Sequence, residues 1–89
     1  MEDARIRMRK ITEEFIRDIA QKAMETDTKT TSIEKYQGRR ELGIYIAREL
    51  KISLDGAFCL ISSILRMYAK RISEEEMVIR TRNLFIAFS

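Results

Sequence analysis

The side chains that could act chemically are few, because histidine, the usual acid–base catalyst near neutral pH, is absent from the 89 residues. Cys59 therefore has no imidazole to activate its thiol. Ser62 and Ser63 share a polar strip with Lys70, but Lys70 lies about two helical turns further on. That separation is too large for a serine–lysine nucleophile pair within one helix. The sequence predicts a protein that is not an enzyme.

The sequence also gives no expectation of a metal or a cofactor. One cysteine and no histidine exclude zinc sites built from these residues, and there is no glycine-rich phosphate loop. The acidic run at 74–76 is interpreted as favourable charge at a helix N-terminus. A lone cysteine favours a reducing, cytoplasmic location, and Cys59 is either an inert residue at the core edge or a redox handle, which its exposure would distinguish.

The charge distribution permits nucleic-acid binding without requiring it. The chain has 17 basic and 14 acidic residues, a formal net charge of +3. Residues 1–31 hold seven of each sign, 32–52 and 53–72 each carry an excess of two positive charges, and 73–89 has one negative charge in excess. The longest uncharged stretch, 56–65, is ten residues, against the roughly 20 needed to cross a bilayer. The balanced signs of the first segment also disfavour a membrane-surface role.

Helix starts must be read from capping residues, because the chain has no proline. Thr31 with Glu34 and Ser73 with Glu76 have the spacing of a capping box, and Ser53 is a weaker third cap. Together with apolar residues at helical spacing, these caps predict a single all-α domain over residues 1–89. We expect a compact bundle of about four helices at 3–25, 32–50, 53–71 and 74–88.

Two glycines fall within the second predicted helix. Gly43 and Ala47 are one turn apart, which indicates a close approach by another backbone. Gly38 is interpreted as marking an irregular first turn, with the regular helix beginning near Arg39.

The last two predicted helices carry apolar residues on more than one side. Segment 53–71 is the least polar and is expected to be central. Segment 74–88 has Phe85 on one apolar side, whereas Ile79 and Ile86 lie nearly opposite. As an alternative, 77–80 and 84–88 could pair as a short β-hairpin. We favour a helix, because the capping box at Ser73 commits the chain locally.

These faces exceed what an 89-residue monomer can cover, and exposed apolar patches usually mark interfaces. We therefore expect a non-catalytic regulatory protein that binds a protein partner, as a homodimer or within a larger complex. The expected anchors are Phe15, Ile79, Phe85, Ile86 and Phe88.

A second interpretation comes from residues 44–62. Ile46, Ala47, Leu50, Ile52, Ala57 and Leu60 form an inward-facing pattern around a tight turn at 51–53. The pattern resembles the helix-turn-helix family, which implies a nucleic-acid-binding transcriptional regulator. The outward positions of the second helix are then Leu54, Asp55, Phe58 and Cys59. The expected phosphate contacts are Arg39, Arg40, Arg48, Lys51, Arg66, Lys70 and Arg71.

Residues 2–24 are similar to the central helix of archaeal histones. The similarity rests on the runs Asp3-Ala4-Arg5-Ile6, Arg9-Lys10, Glu13-Glu14 and Arg17-Asp18-Ile19-Ala20. We interpret it as convergence, because such charge patterns recur on exposed, salt-bridged helices.

Overall fold

A computed structural model describes residues 3–28 and 31–88. They form five helices in the order α1 (Ala4–Met8), α2 (Glu13–Asp27), α3 (Ser32–Leu50), α4 (Leu54–Ala69) and α5 (Glu74–Phe88), and the described ranges contain no strand. The predicted all-α bundle is confirmed. Residues 74–88 are helical, so the hairpin alternative is wrong.

The prediction of one continuous helix over 3–25 is also wrong. α1 ends at Met8, and α2 begins after Thr12, whose hydroxyl oxygen accepts a hydrogen bond from the Phe15 amide at 3.1 Å. Ile11 lies in the break and is fully buried. The cap at Thr12 stabilises a turn between the two helices, because the capping side chain satisfies an amide that the start of α2 would otherwise leave unpaired. The burial of Ile11 also favours this turn.

The predicted starts of α3, α4 and α5 are confirmed by three capping hydroxyls. Thr31 accepts from the amide of Glu34 at 3.1 Å, and Ser53 accepts from the amide of Gly56 at 3.0 Å. Ser73 accepts from the amide of residue 76 at 3.2 Å. Each bond satisfies one of the free N–H groups in the first turn, which fixes where the helix begins.

α4 is the central helix, as its composition indicates. It packs against α2, α3 and α5, and its side chains contribute the largest share of the buried cluster. Burial of such apolar side chains supplies the main driving force for folding. The buried hydrophobic residues are Ile11, Ile16, Ile19, Ala20, Ala23, Leu42, Ile46, Leu50, Ala57, Leu60, Ile61, Ile64, Met67, Met77 and Phe85.

Both α3 glycines make room for a side chain. A methyl group at Gly43 would lie 2.6 Å from the Cε1 atom of Phe58, so an aromatic ring, rather than the expected backbone, occupies this space. A methyl group at Gly38 would lie 2.8 Å from the Cγ2 atom of Thr26. The helix runs through Gly38 without interruption, so the predicted irregular first turn is wrong.

Among the described helices, none is long and apolar enough by itself to cross a bilayer. α3 and α4 satisfy length and composition only when they are taken together across a bend of 108°.

Candidate interaction surfaces

The inner face of α5 corrects one predicted interface residue. Met77, Thr81 and Phe85 follow one another at spacings of four, which places them on the same side of a helix, and all three are buried. Phe85 is fully buried, so its prediction as an interface anchor is wrong. Its ring is one of the largest side chains in the core and is not available to a partner.

The outer face of α5 carries two further predicted anchors, Ile79 and Ile86. Ile79 is 51% exposed and Ile86 is 56% exposed. They are seven residues apart, or about two helical turns, so their side chains project from the same side. This pair is the uncovered apolar stripe that the sequence indicates on this helix.

The remaining two anchors are partly used within the fold. Phe88 is 38% exposed, and its Cγ atom would lie only 3.2 Å from a methyl group at Gly56, so the ring leans on the start of α4. Phe15 is half-buried against the core. Phe15 lines an open, charged hollow of about 620 Å³, together with residues that include Arg17 and Tyr45. No residue of α5 lines this hollow, so Phe15 lies apart from the other predicted anchors.

The α3–α4 corner has the geometry of a helix-turn-helix. Lys51, Ile52 and Ser53 join two helices whose axes bend by 108°, within the usual range of about 90–120° for this motif. Lys51 adopts the left-handed conformation at φ 53°, and the Ile52 amide donates to the Ala47 carbonyl at 3.1 Å. A lysine therefore holds the conformation for which glycine is usual.

The second helix of this corner does not present the predicted outward face. Asp55 and Cys59 are exposed, but Leu54 and Phe58 are half-buried. Phe58 fills the angle between the helices by packing on Gly43, so its assignment as an outward position is wrong. The exposed strip of α4 instead runs through Asp55, Cys59, Ser62, Arg66, Ala69 and Lys70.

The predicted phosphate contacts are dispersed. The Nη2 atom of Arg39 forms an ion pair with the Oδ1 atom of Asp27 at 2.9 Å. Arg40, Arg48, Lys51, Arg66, Lys70 and Arg71 are exposed, but they extend from the middle of α3 to the far end of α4. Arg66 and Lys70 share a small hollow of about 180 Å³ with Arg80, which the sequence did not single out. Arg80 donates to Glu76 at 3.0 Å, which reduces its availability to an anion.

The position of α1 against α3 has no counterpart among the sequence predictions. The Nε of Arg7 donates to the Leu50 carbonyl at 3.0 Å, and the Nζ of Lys10 donates to the Glu49 carbonyl at 3.2 Å. These bonds set Arg7 of α1 and Lys10, two residues beyond its end, beside the C-terminus of α3, where positive charge is favourable. In the sequence, acidic residues, most of them in α2, balance these cations, so residues 1–31 carry no net charge.

Among the described residues, two titratable side chains have clearly shifted pKa values. Burial raises the pKa of the Tyr68 phenol, and the nearby Glu74 carboxylate adds to the shift. The hydrogen bond to Asp18 raises the pKa of the exposed Lys22 ammonium, which also lies 4.7 Å from the ring centre of Tyr45. Cys59 is exposed and free. Within the described ranges, no group of three His, Cys, Asp or Glu side chains could hold a metal ion.

The similarity of residues 2–24 to a histone central helix does not extend to the structure, because the break at 9–12 divides that stretch into α1 and α2. The helix-turn-helix resemblance is limited to the corner geometry. No protein-family model matches the chain, and comparisons with curated proteins and with solved structures give no significant match.

Proposed function

We propose that the protein is a non-catalytic binding and regulatory protein that acts through helix-mediated contact with another protein chain, most simply a second copy of itself. The observation that carries this proposal is the pair Ile79 and Ile86 on the outer face of α5, each more than half exposed. Neither side chain contributes to the buried cluster. Their removal from water therefore requires a partner.

A second copy suits the spacing of the pair. If two α5 helices pack antiparallel about a twofold axis, Ile79 of one copy faces Ile86 of the other, because the axis passes midway between positions 79 and 86. The same two residues then make both halves of the contact. Asn83 lies near the axis on this face and offers an amide pair at its centre.

The expected dimer is weak. A stable interface buries roughly 800 Å² on each partner, whereas two half-exposed isoleucines with their flanking residues cover a smaller area. Association should therefore depend on chain concentration and be insensitive to salt, because its main contribution is apolar burial.

The test is sedimentation velocity over a wide concentration range at low and high salt. We expect a shift from the 10.5 kDa monomer to a dimer at the highest concentrations, retained in high salt. Ile79→Glu and Ile86→Glu should each abolish the shift, because a charge would be buried in the contact. The matched control is Ile33→Glu, at a 70% exposed position of α3. A wild-type chain that stays monomeric, or equal loss in the control, contradicts self-association through α5.

A nucleic-acid-binding regulator is the second candidate, supported by the 108° corner with Lys51 in the left-handed conformation. In this function, the corner approaches duplex DNA and basic side chains contact its phosphates. The distinguishing measurement is a fluorescence-anisotropy titration of labelled duplex DNA at several salt concentrations. Affinity that falls steeply with salt supports this candidate, and the absence of binding at low salt contradicts it.

A further inference from the structure

Two neighbouring hollows lie between α4 and α5 and share part of their walls. The larger, of about 480 Å³, has a mostly apolar wall to which Phe58, Leu84 and Phe88 contribute. The smaller has a volume of about 180 Å³. Ser63 and Arg66 line both hollows, so the two form one continuous groove, the α4–α5 groove.

The α4–α5 groove changes from apolar to cationic along its length. On α5, Phe88, Leu84 and Arg80 are spaced four residues apart, which places them on the same side of the helix. Phe88 and Leu84 line the larger hollow, and Arg80 lines the smaller one. On α4, Arg66 and Lys70 also line the smaller hollow. Cations from two helices therefore meet at one end of the groove.

The cationic end of the groove has donors to offer an anion. Arg66 and Lys70 are exposed, and within the described ranges neither forms an ion pair with a carboxylate. Arg80 uses its Nε atom to donate to Glu76 at 3.0 Å, which leaves the two terminal nitrogens of its guanidinium for other acceptors. The hydroxyl of Ser63 is a further donor in the wall.

No described residue in the wall of the α4–α5 groove is acidic. Three other hollows, which lie along α2, differ in this respect, because each has a glutamate in its wall, either Glu14 or Glu25. An anion in the α4–α5 groove is therefore attracted at the cationic end without an opposing carboxylate in the wall. The other end offers apolar surface, whose removal from water favours binding.

We infer that the α4–α5 groove binds a fatty acid, with the carboxylate between Arg66 and Lys70 and the alkyl chain against Leu84 and Phe88. A free anion would use only the smaller hollow and an apolar molecule only the larger, whereas a fatty acid uses both. Guanidinium groups suit a carboxylate because they donate two parallel hydrogen bonds to it. A mostly apolar wall with a few polar groups is typical of small-ligand sites, and about 480 Å³ lies within their usual range. The inference goes beyond both proposed functions and depends on neither.

The groove also indicates the length of the chain. Cys59 lines the larger hollow, and Arg66 is seven residues further along α4, or about 10 Å along the helix axis at 1.5 Å per residue. A zigzag chain of ten carbons spans that distance, because each carbon–carbon bond is about 1.5 Å long. Decanoate is therefore the probe. Octanoate should bind more weakly, by up to about fourfold for each missing methylene.

Cys59 provides the measurement, because it is exposed and is the only cysteine in the sequence. The experiment follows alkylation of its thiol by iodoacetamide with mass spectrometry, at decanoate concentrations below those that form micelles. We expect the rate to fall at least about fivefold at saturation, because the bound chain covers the thiol. Decyltrimethylammonium has the same chain with the opposite charge, and acetate has the head group alone. Each should leave the rate within about twofold of that without ligand.

Arg66→Gln/Lys70→Gln tests the cationic end of the groove. The loss of two charged donors should raise the decanoate concentration that gives half-protection roughly tenfold. The matched control is Lys35→Gln/Arg40→Gln, which removes two exposed cations of α3 that do not line the groove, and it should behave as the wild type. Circular dichroism should show unchanged helicity in both variants, because all four positions are exposed and glutamine is a good helix former.

Each outcome decides for or against the fatty-acid site. Protection by decanoate that is weakened only in Arg66→Gln/Lys70→Gln supports it. Equal protection by decyltrimethylammonium, equal weakening in the control variant, or no protection of the folded protein overturns it. Cys59 reactivity that falls with protein concentration in the absence of decanoate also overturns it, because a second copy of the chain would then cover the groove.

Discussion

The two faces of α5 differ in a way that residue type alone does not explain. Phe85 and Ile86 are neighbours in sequence, yet Phe85 is fully buried and Ile86 is 56% exposed. Thr81, a polar residue, is fully buried on the inner face, whereas apolar Ile79 lies outside. Packing against the core, rather than hydrophobicity alone, therefore determines which face of α5 is buried. Folding of the single chain gives no reason for isoleucine at two positions of the outer face.

The comparison is tested most strongly by truncating Phe85 and Ile86 one at a time, because the two variants should differ most in their free energy of unfolding. Phe85→Ala should lower the free energy of unfolding by about 3–5 kcal/mol, because it leaves a cavity in the core. Ile86→Ala should change it by less than about 0.5 kcal/mol in the monomer, because its side chain is mostly solvated. Urea denaturation at low protein concentration measures both.

Similar losses in the two variants would show that the outer face contributes to the fold of the monomer. A loss for Ile86→Ala that grows with protein concentration would instead reflect disruption of a dimer, because dimerisation adds to apparent stability by mass action.

Thr81→Val is expected to change the free energy of unfolding by a smaller amount and in the opposite direction. The hydroxyl of Thr81 is buried, and among the described residues it has no hydrogen-bond partner. Thr81→Val keeps the shape and removes the unsatisfied group, so the free energy of unfolding should rise by about 1 kcal/mol. The matched control is Thr26→Val, because Thr26 donates to the Lys22 carbonyl at 3.0 Å and should lose stability. A rise in both variants would show that side-chain hydrogen bonding is not the cause.

The helical conformation of α5 is tested by its cap. Ser73→Ala removes the acceptor for the residue 76 amide and should lower the free energy of unfolding by about 1 kcal/mol. Ser73→Asp is the conservative control, because aspartate caps equally well and should restore the stability. If alanine is tolerated without loss, the start of α5 is held by packing alone.

The helix starts could be predicted because capping is a local interaction. Thr31, Ser53 and Ser73 each bond to an amide three residues later, and the spacing is visible in the sequence. Thr12 bonds in the same way, but the residue at the third position is Phe15, so the sequence lacks the carboxylate that marks a capping box. Ser53 lacks that carboxylate as well, because its third residue is Gly56. The break between α1 and α2 is concealed in the sequence because Met8, Ile11 and Phe15 continue at helical spacing across it.

The burial of Phe85 and the position of α1 could not be predicted from the sequence for a different reason. Helical periodicity places Phe85 and Ile86 on different sides of α5. Because both sides are apolar, it does not predict which of them packs against the core. The bonds of Arg7 and Lys10 join residues about forty positions apart, and no local pattern encodes them. Such choices depend on how the helices pack.

The start of α3 has a consequence for the local dynamics of the fold. Residues 31–37 are all exposed, including Ile33 at 70% and Tyr36 at 66%, whereas Ile46 and Leu50 of the same helix are fully buried. Short helical turns without packing are only marginally stable in water. Amide hydrogens in the first turns should therefore exchange with solvent through local fraying, while those near Leu50 exchange only on global unfolding. A single continuous helix thus carries a gradient of protection along its length.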